Sequence, residues 1–275
     1  MIHPSDYGFA RGMAVFEFAR VYNGVVFRLR DHLDRFVAGT QSLGITNPYS
    51  IAELENAIAH MIPRNKFTQS AIRFYLTMGR CGKPGMIGIA DAGDFAPEMM
   101  IIEDEVHPLH PEAPKGLPLY QAGIALKTMP FMRDIPDAKT TNYMRGFRAV
   151  REWAAQGWHD VLFTHPDGYV TEATTSNFFC VIDGILATPG RDMLNGITRQ
   201  VLLELAPGCG IKTALRDITP ADIAQSTEAF ITGSFVELLP AKKIDGHILP
   251  TTFDGPVFAK LRHAFTHYVE YYKGQ

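Results

Sequence analysis

Cysteine is scarce. Cys81, Cys180 and Cys209 are the three thiols among 275 residues and stand far apart in the chain, which excludes a disulfide framework and a thiolate zinc cluster. No apolar run approaches the roughly 20 residues that span a bilayer as a helix. An excess of one charge sign is also missing. With a net charge of −3 and a pI near 6.4, nothing points to nucleic acid or an anionic membrane as partner. The start, Met1-Ile2-His3-Pro4-Ser5-Asp6, lacks the basic and apolar segments of a secretory signal. Internal repeats and low-complexity tracts are absent. Gly79-Arg80-Cys81-Gly82-Lys83-Pro84-Gly85 lacks the Gly-Lys-Ser/Thr ending of a P-loop and reads as a turn between strands. His263 and His267 share a helix face without an acidic partner motif, so no metal site is expected. A reduced, cytoplasmic enzyme is the expectation these absences leave.

What is there is core-forming material: 46% of residues are hydrophobic, enough for one large domain or two smaller ones. Segments 13–22 and 25–30 flank Asn23-Gly24, a hairpin signal because both residues tolerate positive φ. A helix is expected from Asp31 as N-cap, with Leu33, Phe36, Val37 and Leu43 on one stripe and Gly44 ending it. Ser50-Ile51-Ala52-Glu53 is a capping box that opens a second helix, stopped by Pro63. Over 69–79 the pattern alternates, with Ile72, Phe74, Leu76 and Met78 on one side and Ala71, Arg73, Tyr75 and Thr77 on the other. Residues 108–118 form a proline-rich linker. It separates a smaller domain, 1–107, from a larger one, 119–275. Beyond it the pattern predicts a strand over 123–128 and helices over 142–156, 197–206 and 256–273. Two hairpins turn at Asp167-Gly168 and Asp183-Gly184. Tight-turned strands mixed with helices argue for two α+β domains rather than one doubly wound parallel sheet.

Two motifs carry chemistry. Pro136-Asp137-Ala138-Lys139-Thr140-Thr141-Asn142-Tyr143 places a lysine in a small-residue turn opening a helix. Thr171-Glu172-Ala173-Thr174-Thr175-Ser176-Asn177 places a glutamate just past a hairpin turn. Singly, each residue reads as a solvated surface group. As a pair they match two parts of a pyridoxal phosphate site. The lysine holds the aldehyde as a Schiff base, and the glutamate keeps the pyridine nitrogen protonated. Gly196-Ile197-Thr198 opens a helix whose unpaired N–H groups suit a phosphate, although Thr198 is equally readable as an ordinary cap. Ile231-Thr232-Gly233-Ser234 adds a second hydroxyl and amide. Arg35 lies off the apolar stripe of its helix, where an ion pair with Asp31 or Asp34 is the alternative to an anion-binding role.

In this order and at these spacings the motifs resemble the class IV (fold type IV) pyridoxal phosphate aminotransferases. That family includes branched-chain aminotransferases, D-amino acid aminotransferases and aminodeoxychorismate lyases. The resemblance runs from Asp6 to about Pro240. It implies a two-domain α+β fold type IV enzyme with the cofactor between the domains. It also implies a homodimer whose pockets borrow a loop from the partner. By resemblance, Lys139 bears the cofactor, Tyr143 stands beside its phenolic oxygen, and Glu172 meets the ring nitrogen. Arg35 (in His32-Leu33-Asp34-Arg35), Ile197, Thr198 and Ser234 take the phosphate, and Arg11, Phe16 and Arg73 line the substrate pocket. The implied reaction moves an amino group between an amino acid and a 2-oxo acid such as 2-oxoglutarate. The Lys139–Asn142 spacing and the 171–177 motif lean towards D-amino acid members; Tyr143 and Ala71-Ile72-Arg73 lean towards branched-chain L-amino acids. A lyase of the aminodeoxychorismate type and a non-catalytic phosphate-binding protein stand as alternatives. Two guanidinium groups, Arg11 and Arg73, in a closed pocket would need anions to pair with, so a dicarboxylate substrate is expected.

Overall fold

In the computed structural model, which describes residues 2–83, 94–107 and 118–274, Asn23 and Gly24 both adopt positive φ. They turn β1 (Ala14–Tyr22) into the short β2 (Val25–Val26). This second strand stops well before Arg30, because Arg28 takes the left-handed conformation and becomes the N-cap of α1 (Leu29–Ser42). Asp31 is therefore not the cap. It lies in the first turn, where its carboxylate pairs with Arg28 Nε at 3.0 Å and suits the positive end of the helix dipole. The Ser50–Glu53 capping box forms as expected at the head of α2 (Ile51–Asn65). Pro63, however, lies inside that helix. Its missing N–H removes a single bond close to the C-terminal end, and the helix ends two residues later, at Asn65, before Lys66 turns left-handed.

β3 (Gln69–Cys81) pairs with the whole of β1 through Gln69–Thr77 and with β4 (Phe95–Glu105) on its other side, giving an antiparallel sheet ordered β2-β1-β3-β4. Ile72, Phe74 and Leu76 are buried with Val15, Leu33 and Phe36 in one core, as alternation demands. The turn expected at 79–85 begins later. Gly79 to Cys81 still belong to β3, and the register shifts there. Gly79 has φ +75, and a Cβ on it would lie 1.6 Å from the Ala96 carbonyl oxygen. Pro84 and Gly85 lie outside the described residues. Ahead of β1 a five-residue helix, Tyr7–Arg11, is capped by the buried Asp6, which accepts from Gly8 N and Phe9 N and from Thr77 Oγ1 at 2.7 Å.

These elements form one compact unit, the described residues of Met1–Val106 together with Ala138–Asn142 and Lys273–Gln275. The insertion of 138–142 is notable, since the sequence assigns those residues to the C-terminal domain. The expected linker lies outside the described residues, except for Pro118.

The second unit takes His107–Asp137 and Tyr143–Tyr272. It holds β5 (Ile124–Pro130), α3 (Met144–Ala154), β6 (Asp160–Thr164), β7 (Val170–Ala173), β8 (Asn177–Ile182), β9 (Ile185–Thr188) and α4 (Ile197–Leu205). Then follow β10 (Lys212–Leu215), β11 (Glu228–Gly233), β12 (Glu237–Ile244), β13 (His247–Ile248) and α5 (Pro256–Glu270). The nine-stranded sheet is ordered β10-β9-β8-β11-β12-β5-β6-β7, with β13 on β12. Both expected hairpins form, at Gly168 and at Asp183-Gly184. The sheet is mixed, because β5 runs parallel to β6 and β12. The β5–β6 crossover contains α3, the connection a parallel pair requires.

Candidate functional site

Lys139 is positioned by backbone pairing rather than by a helix. Phe16 N–H donates to the Lys139 carbonyl at 2.9 Å, Thr141 N–H donates to the Ala14 carbonyl at 3.2 Å, and Val15 bridges Thr140. The segment thus lies against β1 as a short extra rung. The helix expected from 142 begins at Met144, with Tyr143 as its N-cap, so Lys139 stands five residues ahead of it. Gly39 on α1 permits this close approach, since a Cβ there would lie 3.2 Å from Val15 Cγ1 and 3.8 Å from Ala138 Cβ. The Lys139 ammonium sits 4.7 Å from the centre of the Phe16 ring, and Phe16 stacks on Tyr75 at 5.4 Å. An aromatic face favours the cation without fixing it in an ion pair.

In the same unit, Glu17 is fully buried and accepts bonds from Arg35, His32 and the Phe18 N–H. Arg35 Nε and a terminal Arg35 nitrogen donate at 2.7 and 2.8 Å, and His32 Nδ1 lies at 2.8 Å. Burial opposes ionisation of Glu17, but the Arg35 charge and the His32 contact outweigh it and hold the carboxyl far below its ordinary range. An ionised carboxylate only accepts, so His32 Nδ1 carries the hydrogen. Burial pushes the His32 pKa down, against the pull of Glu17 and with the help of the Arg35 and Lys139 charges. Neither alternative partner foreseen for Arg35 is used: Asp31 meets Arg28, and Asp34 meets Arg30.

A pH dependence follows. A histidine whose folded pKa is lowered binds its proton more readily when unfolded, so its contribution to stability declines as pH falls below its ordinary 6.5. Glu17, with its folded pKa depressed, adds a further loss below its ordinary 4.5. The Tm advantage of wild type over His32→Gln should therefore shrink from pH 7 to pH 5. A flat or widening difference would contradict a neutral buried His32.

The two arginines expected in a closed pocket are not a buried, unpaired couple. Arg11 ends the five-residue helix and is exposed, with a long contact to its neighbour's carbonyl. Arg73 is half-exposed and already pairs with Asp104 across the β3–β4 ladder. The reasoning that two buried, unpaired guanidinium groups demand a dicarboxylate therefore fails on its premise.

In the second unit, Glu172 is buried on β7. Arg133 Nε donates to its Oε1 at 2.6 Å and Leu194 N–H to its Oε2 at 3.1 Å. Arg133 also donates to the Pro136 carbonyl. Sequence reasoning passed over Arg133: its partner lies 39 residues away, and no local pattern marks it. Asn177 Nδ2 donates to the Leu194 carbonyl at 2.6 Å, so the peptide groups of one residue are gripped by Glu172 and Asn177. That fixes the entry to α4. Its N-cap is Gly196, which makes no side-chain cap bond, and a Cβ at 196 would lie 1.9 Å from Asn177 Oδ1. Thr198 occupies the second helical position, buried, rather than the cap. Opposite Asn177 in the β8–β11 register stands Thr232, whose buried hydroxyl has no hydrogen-bond partner among the described residues. Paired antiparallel residues project to the same face, so this hydroxyl lies on the Asn177 side. Gly233 follows, 3.5 Å (from an added Cβ) to Ser176 Oγ and the Thr175 carbonyl, and then Ser234. A phosphate monoester fits this end chemically: it brings acceptor oxygens to uncapped N–H groups and hydroxyls.

A family model described as amino-transferase class IV matches residues 14–244. A branched-chain-amino-acid aminotransferase of Pseudomonas aeruginosa is 30% identical, covering 92% of this chain and 83% of that one. A D-alanine aminotransferase of Listeria monocytogenes is 29% identical, covering 94% and 88%. Among solved structures, the branched-chain amino acid aminotransferase of Escherichia coli superposes with a TM-score of 0.83 at 26% identity. It covers 97% of this chain and 88% of that one.

Proposed function

The chain belongs to the class IV aminotransferases, fold type IV enzymes that use pyridoxal phosphate, and from that premise we propose how its own residues carry the reaction. The observation that carries this reading is the Leu194 clamp. It ties a buried carboxylate, Glu172, to the uncapped start of α4 through a single residue. A pyridine ring with its phosphate has those two needs at a fixed separation. When bound, pyridoxal phosphate supplies an aldehyde that takes up and returns the amino group and a ring that accepts electrons. Lys139 Nζ would hold that aldehyde and would carry the proton taken from substrate Cα. Glu172 would accept the hydrogen bond of the ring N–H, with Arg133 orienting it. Ile197 and Thr198 offer N–H groups to the phosphate, Ser234 a hydroxyl, and Arg35 a guanidinium already squared up by Glu17. Tyr143 stands by the phenolic oxygen, and Phe16 supports Lys139 and bounds the substrate side with Arg73 and Arg11.

The amino donor leaves as its 2-oxo acid and a second 2-oxo acid, such as 2-oxoglutarate, leaves as its amino acid. The Lys139–Asn142 spacing supports a D-amino acid donor. A second reading, a branched-chain L-amino acid donor, is supported by the Pseudomonas relative. Separate mixing with D-glutamate, D-alanine, L-glutamate and L-leucine, watching the cofactor spectrum, decides between them. Conversion by the L-acids alone ends the D reading; no conversion by any amino acid ends the transaminase reading. We further propose a cytoplasmic homodimer, testable by sedimentation. No helix among the described residues is long and apolar enough to cross a membrane.

Arg35→Ala should lose cofactor on dialysis more readily than Thr198→Ala, because it removes a charge-assisted fork rather than a neutral hydrogen bond. Retention equal to wild type would remove Arg35 from the phosphate site.

A further inference from the structure

Arg199 stands in the first turn of α4 with 4% of its surface exposed. Its Nε donates to Thr188 Oγ1 at 3.2 Å, one terminal nitrogen to Asn195 Oδ1 at 3.1 Å, and the other to the Pro189 carbonyl at 2.7 Å. Every one of these acceptors is neutral. Among the described residues no carboxylate pairs with it, unlike the partly buried Arg35 and Arg133, which meet Glu17 and Glu172. Thr188 is itself committed, its hydroxyl donating to the Phe178 carbonyl at 2.7 Å. Burial alone pulls the Arg199 pKa down, with no anion to offset it.

A buried guanidinium with no counter-charge is costly, and the fold retains one beside Asn195, immediately before the Gly196 cap. The helix N-terminus adds positive potential in the same direction, and the Thr232 hydroxyl, opposite Asn177, lacks a partner among the described residues. We infer that Arg199 sets the charge of the phosphate cradle from behind, so that the site selects a dianionic phosphate monoester over an isosteric monoanion. It acts as a positioning and charge-matching residue that does not touch the cofactor. A phosphate monoester carries close to two negative charges at pH 7, one more than a sulfate ester, and the second answers the Arg199 charge that no carboxylate among the described residues balances. The inference rests on the proposed placing of the cofactor phosphate at α4.

The test is equilibrium binding to the apoprotein, followed by absorbance, with pyridoxal 5′-phosphate, pyridoxal 5′-sulfate and pyridoxal. Wild type should prefer phosphate over sulfate at least tenfold. Arg199→Gln, which keeps an amide donor but no charge, should reduce that preference to threefold or less while leaving affinity for pyridoxal within twofold. Arg199→Lys should keep most of the preference. Thr188→Val, which removes an acceptor and leaves the charge, should keep it too. If Arg199→Gln weakens all three ligands equally, or Thr188→Val reproduces its effect, the residue is a strut and the inference falls. If Arg199→Gln does not fold, wild type alone still decides: equal affinity for phosphate and sulfate overturns the inference. A wild type that binds pyridoxal as tightly as its phosphate overturns instead the placing of the phosphate at α4.

Discussion

Lys139→Ala should abolish amino transfer, with turnover down by about 10³-fold or more, while the protein folds and still retains cofactor non-covalently. Two functions are lost at once in this variant: the covalent hold on the aldehyde and the proton carrier at Cα. Folding should survive because Lys139 contributes to its unit through its backbone. The bonds to Phe16 and through Thr141 to Ala14 are made by groups alanine also has. The Nζ contact to the Phe16 ring is partly exposed to solvent, and its loss is worth about 0.5–1 kcal/mol. Borohydride reduction followed by digestion and mass spectrometry should place a pyridoxyl group on the Lys139 peptide of wild type and on no peptide of the variant. A label on a different lysine would dismantle the site as drawn.

Glu172→Gln should cost about 100-fold or more in turnover, equivalent to roughly 2.7 kcal/mol, with the cofactor still bound. Glutamine matches the carboxylate in shape, and its carbonyl oxygen can keep the Leu194 N–H bond. What changes is charge. The ring nitrogen loses the anion that keeps it protonated, and Arg133 Nε faces a neutral amide where it met a carboxylate. Arg133→Met tests the division of labour. If Arg133 holds Glu172 oriented, turnover should fall by less than in Glu172→Gln, and cofactor affinity should change little. Near wild-type turnover in Glu172→Gln would show that the carboxylate is structural.

Local chemistry was legible in the sequence. The Asn23-Gly24 turn, the Ser50 capping box and the alternation around Phe74 depend on neighbours a few residues away, and the structure places each as read. Errors arose where a neighbour in space decides. Arg28 in a left-handed conformation displaced the expected cap at Asp31, and a proline near a helix end proved tolerable. The site divided the same way. Glu172 and Lys139 are proposed from motif. Arg133, Arg199 and the Glu17–His32 contact depend on partners from 10 to 39 residues away, with no pattern to betray them. Arg73 was visible, but its pairing with Asp104 across a strand ladder was not.

The five residues that carry Lys139 have a consequence for how the protein is made. They join the first unit by pairing with β1, although the chain enters the second unit before reaching them and returns to it directly afterwards. A nascent chain that has just cleared the ribosome as far as β4 therefore has its small sheet but lacks the rung beside Val15. That rung arrives only after β5 has been synthesised. The unit begun first is finished late, and the lysine's position is settled by a meeting of segments more than a hundred residues apart. Any cut placed between β4 and β5 would part Lys139 from the covalent continuity of the strand that holds it.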